Sequence, residues 1–220
     1  MRLVGGEPPA PTLALVAAVA LHEAVSVFLP PLPGGERVGV RGSDALASRP
    51  TSEAAHPHPT LSLEGEGLRS LLIKWPNDLL LGGAKLSGIL LERANDAVVV
   101  GFGVNLAHHP DDLDRLATSF VAMSCNAPDP DTFLTVLADG FARWLHRWRQ
   151  EGLGPIRLAW LARAHPIGTA LTVRLPSADP QDEGLQGLFD GLDEIGALRL
   201  RLADGAVRVI HAADVFMIQD

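Results

Sequence analysis

The sequence predicts an α+β fold: a mixed β-sheet with packed helices, followed by a small C-terminal β-barrel. Three features carry this reading. An apolar helical run stands near the N-terminus, strand-length runs crowd residues 71–105, and the last fifty or so residues alternate with period two. At 220 residues and 47% hydrophobic content the chain can hold one ordinary domain plus a smaller one. Its formal charge of −8 does not suit a nucleic-acid binder, whose affinity rests largely on neutralising phosphates. The single cysteine, Cys125, excludes an internal disulfide framework and fits a reducing compartment.

The first element is a helix over Thr12–Val27, rich in strong helix formers, with Pro11 before it and Pro30 after it. Part of it, TLALVAAVAL, imitates a secretory segment with the small-x-small triplet Ala18-Val-Ala20. Glu7 in the would-be basic region, Arg2 as its only basic side chain, and a run too short for a bilayer favour a buried helix. A cytoplasmic protein with no membrane partner is therefore expected. Residues 30–67 hold six prolines and six glycines without a sustained period, and read as a disordered insertion.

Strands are expected near Leu71–Lys74, Leu79–Leu81, Lys85–Glu92 and Ala97–Asn105, with turn chemistry at Gly82-Gly83 and Asn95-Asp96. Asp131 or Thr132 can cap a helix running to about Gln150 that places Phe133, Leu137, Phe141, Trp144, Leu145 and Trp148 on one face. Gly152 stops it, and a shorter helix over Ile156–Ala164 ends before Pro166. In the tail, ALTVRL turns Leu171, Val173 and Leu175 inward, ALRLRL does the same for Leu198, Leu200 and Leu202, and VRVIHAADVFMI closes the chain. This divides the protein into residues 1–165 and a barrel over 166–220.

Chemistry concentrates in LLIKWPNDLLLGGAKLSGILLE, which packs Lys74, Asn77, Asp78 and Lys85 into one meander. Each is costly to bury unless paired or employed. Pro76 bends the chain, so Asn77 and Asp78 can cap the turn or contact a nucleotide and its Mg²⁺. Lys85 can be a solvated strand lysine, or can neutralise a carboxylate and a phosphate under attack. Gly88 permits close approach to the backbone. GFGVN lacks the third glycine of a dinucleotide fingerprint, because position 106 is Leu106. Gly101 and Gly103 instead fit a flat ligand lying on bare backbone with Asn105 reading its edge, or a simple bulge and turn. His56, His58, His108 and His109 have no metal-ligand spacing, and Cys125 has no visible base.

KWPNDLLLGGAKLSGILLE, VVVGFGVNLAHHP, the helix pair and the GTALTVRL-to-DVFMI tail together resemble a biotin–protein ligase from Leu68 onward, with a weaker likeness over the Thr12–Val27 helix. The resemblance implies a biotin/lipoyl ligase-like catalytic fold, here incomplete, and a C-terminal SH3-like β-barrel. It implies an ATP-dependent ligase that makes biotinyl-5′-AMP and passes biotin to a lysine of a biotin carboxyl carrier protein domain. Biotin and MgATP are then substrates, and no tightly bound cofactor is expected. By this likeness Lys85 is catalytic, meeting the biotin carboxylate and the forming acyl phosphate. Gly88 and Ile89 line the biotin pocket. Asn77, Asp78, Gly101, Gly103 and Asn105 lie at the nucleotide, with Asp78 toward Mg²⁺.

The family's Ser/Thr-Thr-Asn biotin contact, its glutamine and its Arg/Gly-rich loop are absent from the MRLVGGEPPAP that precedes the helix. GGERVGVRG lies after the helix and is not a substitute. An N-terminally shortened ligase is therefore expected, with little labelling of a carrier and a raw sheet edge open to self-association. The alternative is a non-catalytic remnant that still binds nucleotide or carrier protein. A lipoyl or octanoyl transferase is disfavoured by the KWPND-to-AKLSGI spacing, and a biotin-sensing repressor by the lack of a DNA-binding helix pair.

Overall fold

The computed structural model describes residues 9–30, 70–95, 97–110, 116–175 and 184–218. The expected insertion falls outside the described residues from Pro31 onward, as do Leu68 and Asp96. After a 3-10 turn over Ala10–Thr12, helix α1 spans Leu13–Phe28 and buries ten of its sixteen side chains. A helix apolar on most sides suits an interior, and α1 packs against α2, α3 and the first sheet. With the 3-10 turn, the helical stretch Ala10–Phe28 is longer than the apolar run suggested and is long and apolar enough to cross a membrane by length and composition, but here it forms the core. Thr12 fastens its start. The hydroxyl donates to Pro9 O at 2.6 Å and accepts from Trp148 Nε1 at 2.9 Å.

Helix α2 covers Pro130–Glu151 and α3 covers Gly154–Leu161. The cap of α2 is Asp129, whose carboxylate accepts from Thr132 N at 3.0 Å, and not Asp131 or Thr132. Pro130 explains the shift, because a missing N–H costs nothing in the first turn. Phe133, Leu137 and Trp148 are buried as expected, while Phe141, Trp144 and Leu145 are half-buried. Glu23 of α1 ties it to α2 and to the segment just after α3, accepting from Trp144 Nε1 at 2.9 Å and Arg163 Nη2 at 3.0 Å.

The first sheet is β1 (Leu71–Lys74), β2 (Asp78–Leu81), β3 (Ala84–Ala94) and β4 (Ala97–Val104), in that spatial order. All its strand pairs are antiparallel, which corrects the expected mixed sheet. Tight turns between successive strands leave no crossover that a parallel pair would need. Among the described residues, parallel pairing is confined to isolated bridges of Ile73 with Ala164 and Lys85 with Ala117.

The second sheet holds β5 (Ala170–Arg174), β6 (Leu185–Leu192), β7 (Leu198–Arg201), β8 (Val207–Ile210) and β9 (Asp214–Met217), ordered β8-β7-β6-β5-β9. Among the described residues no closed barrel is present, which overturns the SH3-like expectation. Strands β8 and β9 are the two edges and do not pair with each other. Flat, those edges would stand about 19 Å apart at roughly 4.8 Å per strand. The link from Ile210 to Asp214 reaches at most about 14 Å, so the sheet curls without closing its ladder. Leu171, Val173, Leu198 and Leu200 are fully buried beneath it, but Leu175 lies beyond the end of β5 and is 39% exposed.

Trp75 joins the two sheets, its indole N–H donating to Gly196 O at 3.2 Å. Gly196 has φ +86°, and a Cβ there would come within 2.6 Å of Leu15 Cδ1. Leu15 is itself buried, so it has little room to yield. Gly196→Ala should cost about 2 kcal/mol from left-handed strain and overlap, lowering Tm by about 5 °C. An unchanged melting temperature by circular dichroism would refute this tie between α1 and the tail.

Two histidines sit inside this framework. Burial holds both His22 and His165 down at about 4. His22 donates from Nε2 to Leu71 O at 3.2 Å, whereas His165 lies edge-on to Phe189 at 4.2 Å. Unfolding returns both rings to about 6.5, so the unfolded chain binds more protons between about 4 and 6.5. Stability contributed by the two rings is therefore full above pH 6.5 and is lost as the pH falls toward 4. Urea titrations at pH 7.5 and 5 should show the loss, and a His22→Gln/His165→Leu variant should lose less. An equal loss in that variant would assign the pH dependence to other groups.

Candidate functional site

Register places the site. Lys74 pairs with Asp78, Asp78 with Gly88, and Gly88 with Gly103, giving one transverse row over all four strands of the first sheet. Directly opposed residues share a face. Lys85 and Gly88 are three apart and would lie on opposite faces of a regular strand. A bulge at Leu86 corrects this, because Leu79 pairs with Ser87 while Leu80 pairs with Lys85. Lys85 therefore joins Asp78 and Gly88 on one face.

Asp78 is the centre of the charge arrangement. Its carboxylate is 4% exposed, with Oδ2 3.2 Å from Lys74 Nζ and Oδ1 2.5 Å from Lys85 Nζ. The Lys85 contact is a charge pair and not an aligned hydrogen bond, so Oδ1 keeps unspent acceptor capacity. Lys74 also donates to Val215 O of β9 at 2.9 Å. Two ammonium groups on one carboxylate leave the cluster with a net positive charge, and Lys85, 34% exposed, presents it to solvent. Gly88 makes the space: a Cβ there would lie 3.2 Å from Lys85 Nζ and 3.7 Å from Asp78 Oδ1.

The backbone around Lys85 is clamped. Lys85 N donates to Leu116 O at 2.8 Å, and Thr118 N donates to Lys85 O at 2.9 Å. Asn105 holds that loop by donating from Nδ2 to Thr118 O at 2.9 Å. Asn77 has a similar task, donating from Nδ2 to Ile89 O at 2.7 Å while Ile89 N donates back to Asn77 O at 2.9 Å. Each amide thus commits an N–H to the fold. Gly101 and Gly103 are exposed beside Leu90 on the Lys85 face, giving a bare floor. Ile89 points the other way, into the core.

The donors do not fit the Mg²⁺ role expected of Asp78. Its carboxylate is already bracketed by two cations, and no cluster of three or more His, Cys, Asp or Glu occurs among the described residues. An apolar cavity of about 690 Å³ is lined by Leu15, Trp75, Ile89, Leu90, Val98 and Ile195 among others. It shares Asn77 and Ile89 with the expected site but not Lys85, Gly88, Gly101, Gly103 or Asn105. A ligand carrying negative charge requires the ammonium, so the open glycine face is the better candidate.

Residues 37–105 match the biotin/lipoate A/B protein ligase family, and residues 172–217 match the biotin protein ligase C-terminal domain. The chain belongs to the biotin–protein ligase family. A biotin–[acetyl-CoA-carboxylase] ligase of Paracoccus denitrificans is 45% identical over 156 residues, 66% of this chain and 62% of that protein. The Mycobacterium tuberculosis ligase of the same name is 33% identical over 143 residues, 65% of this chain and 52% of its own length. The chain thus spans between half and two thirds of these relatives. The biotin protein ligase of Aquifex aeolicus in complex with biotin and ATP shares the fold, with a TM-score of 0.66 at 17% identity over 96% of this chain and 72% of that one.

The site residues of this biotin–protein ligase family member, from Lys74 to Asn105, all lie within the first matched stretch. The sequence drew attention to Lys74 but gave it no role, and it gave none to the 116–118 loop. The cost of burying an ammonium was the signal for the first; the second had none. Gly88→Ala should still fold, since the end of Lys85 can swing away, with stability altered by less than about 1 kcal/mol. It should push Lys85 off Asp78. A crystal structure of the variant with Lys85 Nζ unmoved would show that the bare backbone serves another purpose.

Proposed function

We propose that this chain binds a carboxylate and a nucleotide on the open face of the first sheet and acts as an ATP-dependent biotin ligase. The observation that carries the reading is the Lys85 ammonium, part-exposed on a glycine floor and backed by Asp78 and Lys74. Family membership supports biotin as the acid and ATP as the activating nucleotide. In the first step a biotin carboxylate oxygen attacks the α-phosphorus of ATP, forming biotinyl-5′-AMP as the bond to pyrophosphate breaks. The amine of a carrier-domain lysine then attacks the acyl carbon, and AMP departs.

Two anions must meet in the first step, and the positive face lowers their repulsion. Lys85 is placed to hold the carboxylate and to offset charge growing on the phosphate. Gly88 allows the acid to approach the strand, and Gly101 and Gly103 offer backbone on which a flat base can lie. Asn77 and Asn105 keep these strands in register. Asp78 acts by holding Lys85.

A non-hydrolysable biotinyl-5′-AMP analogue should bind the chain, and Lys85→Met should weaken it about 10- to 100-fold, the range for losing one charge-assisted hydrogen bond. Equal affinity by calorimetry would defeat the reading. A second reading, binding without transfer, is favoured by the uncovered floor, where Leu90 is 59% exposed and water could reach an anhydride. Incubation with biotin, MgATP and a carrier domain separates the two. Transfer that vanishes in Lys85→Ala identifies a ligase, and analogue binding without transfer identifies a remnant.

A further inference from the structure

The chain has 18 basic residues, yet only two are lysines, Lys74 and Lys85, and both ammonium groups stand on Asp78. Every other basic position is arginine. An ammonium is a compact point charge on a flexible stem, whereas a guanidinium is a broad planar fork. Lys74 is 9% exposed, so solvation does not explain it. Burying such a charge costs several kcal/mol unless it is paired and hydrogen-bonded. Among its partners are Asp78 Oδ2 in the first sheet and Val215 O in the second. Val215 is itself buried in β9, which is paired to β5.

We propose that Lys74 is a positioning residue which, anchored by the Val215 carbonyl of the second sheet, competes with Lys85 for Asp78 and so keeps the Lys85 ammonium available to a substrate anion. This deepens the ligase reading by making the C-terminal sheet part of the active centre. With Lys74 occupying Oδ2, Asp78 holds Lys85 through Oδ1 alone. Without Lys74, both oxygens turn to Lys85 and draw its ammonium toward the sheet. The C-terminal sheet therefore governs how tightly Lys85 is held, through one backbone oxygen.

The sign of the effect separates positioning from simple support. Loosened structure would make Lys85 more reactive; loss of a competitor makes it less so. The whole chain is acetylated with N-hydroxysuccinimidyl acetate, without biotin or ATP, and the Lys85 peptide is followed by mass spectrometry. In Lys74→Met the rate at Lys85 should fall about 3- to 10-fold, corresponding to strengthening of one charge pair. Lys74→Gln, which can still donate to the Val215 carbonyl but carries no charge, should also slow it. Asp78→Asn should speed it, and needs no change at Lys74 should either Lys74 variant not fold.

An unchanged or faster rate in the folded Lys74 variants, or no gain in Asp78→Asn, would overturn the proposal. Because this readout uses no substrate, it stands apart from the ligase reading. Where the wild-type chain binds the adenylate analogue, Lys74→Met should weaken that binding about tenfold. Full affinity in that variant would sever the second sheet from the site while leaving the ligase reading intact.

Discussion

One buried carboxylate between two ammonium groups sets the terms for the rest of the first sheet. An unpaired Asp78 at its 3% exposure would be severely destabilising, and so would an unpaired Lys74. The pairing dictates what surrounds it. Strands β1 and β2 must meet with Lys74 opposite Asp78, β3 must bulge at Leu86 to bring Lys85 to the same face, and a side chain opposite Asp78 would crowd the Lys85 ammonium. The glycine at 88 is therefore a consequence of charge geometry as much as of ligand approach. Three ionised groups held this way give one net positive charge, and Lys85 is where that charge meets solvent.

Period and punctuation made most elements legible. The α1 run, the four strands of the meander and the amphipathic face of α2 all declare themselves through apolar spacing, with errors of one or two residues at their ends. The missed features have definite causes. Asp129 outcompeted Asp131 as cap because Pro130 follows it. Strand β6 carries glycines at 187 and 191 that break its alternation, and Gly187 is small because a Cβ there would lie 2.7 Å from Arg201 O. The barrel expectation failed because strand count says nothing about closure. Whether β8 and β9 pair depends on curl, which short alternating runs do not encode.

At the candidate site the residue types were legible and their arrangement was not. Lys85, Gly88 and Asp78 could be named from spacing and resemblance, but spacing alone puts Lys85 and Gly88 on opposite faces. The bulge that unites them leaves no local signature in AKLSGI. Asn77 and Asn105 read as ligand contacts because a carboxylamide near a turn can serve either purpose. In the structure each amide gives one N–H to a backbone carbonyl, Ile89 O or Thr118 O, which is the fold-supporting use. Asp78 was read toward a metal because a carboxylate beside a nucleotide site invites that reading. Its two ammonium neighbours change the sign of the local field.

The contacts joining the two sheets explain why the tail's part in the site is the hardest to read from sequence. Trp75 reaches Gly196 O and Lys74 reaches Val215 O, so in both cases the acceptor is a backbone carbonyl. A carbonyl is present whatever the side chain, and no residue type in the tail announces that it receives a charge. What the sequence must supply is the position of that oxygen. This falls to the core: Val173 and Val215 are paired and buried, and Gly196 lies against Leu15. Packing in the second sheet thereby becomes electrostatics in the first. A methyl-scale shift under β9 moves the oxygen that anchors Lys74, and with it the ammonium that stands on Asp78.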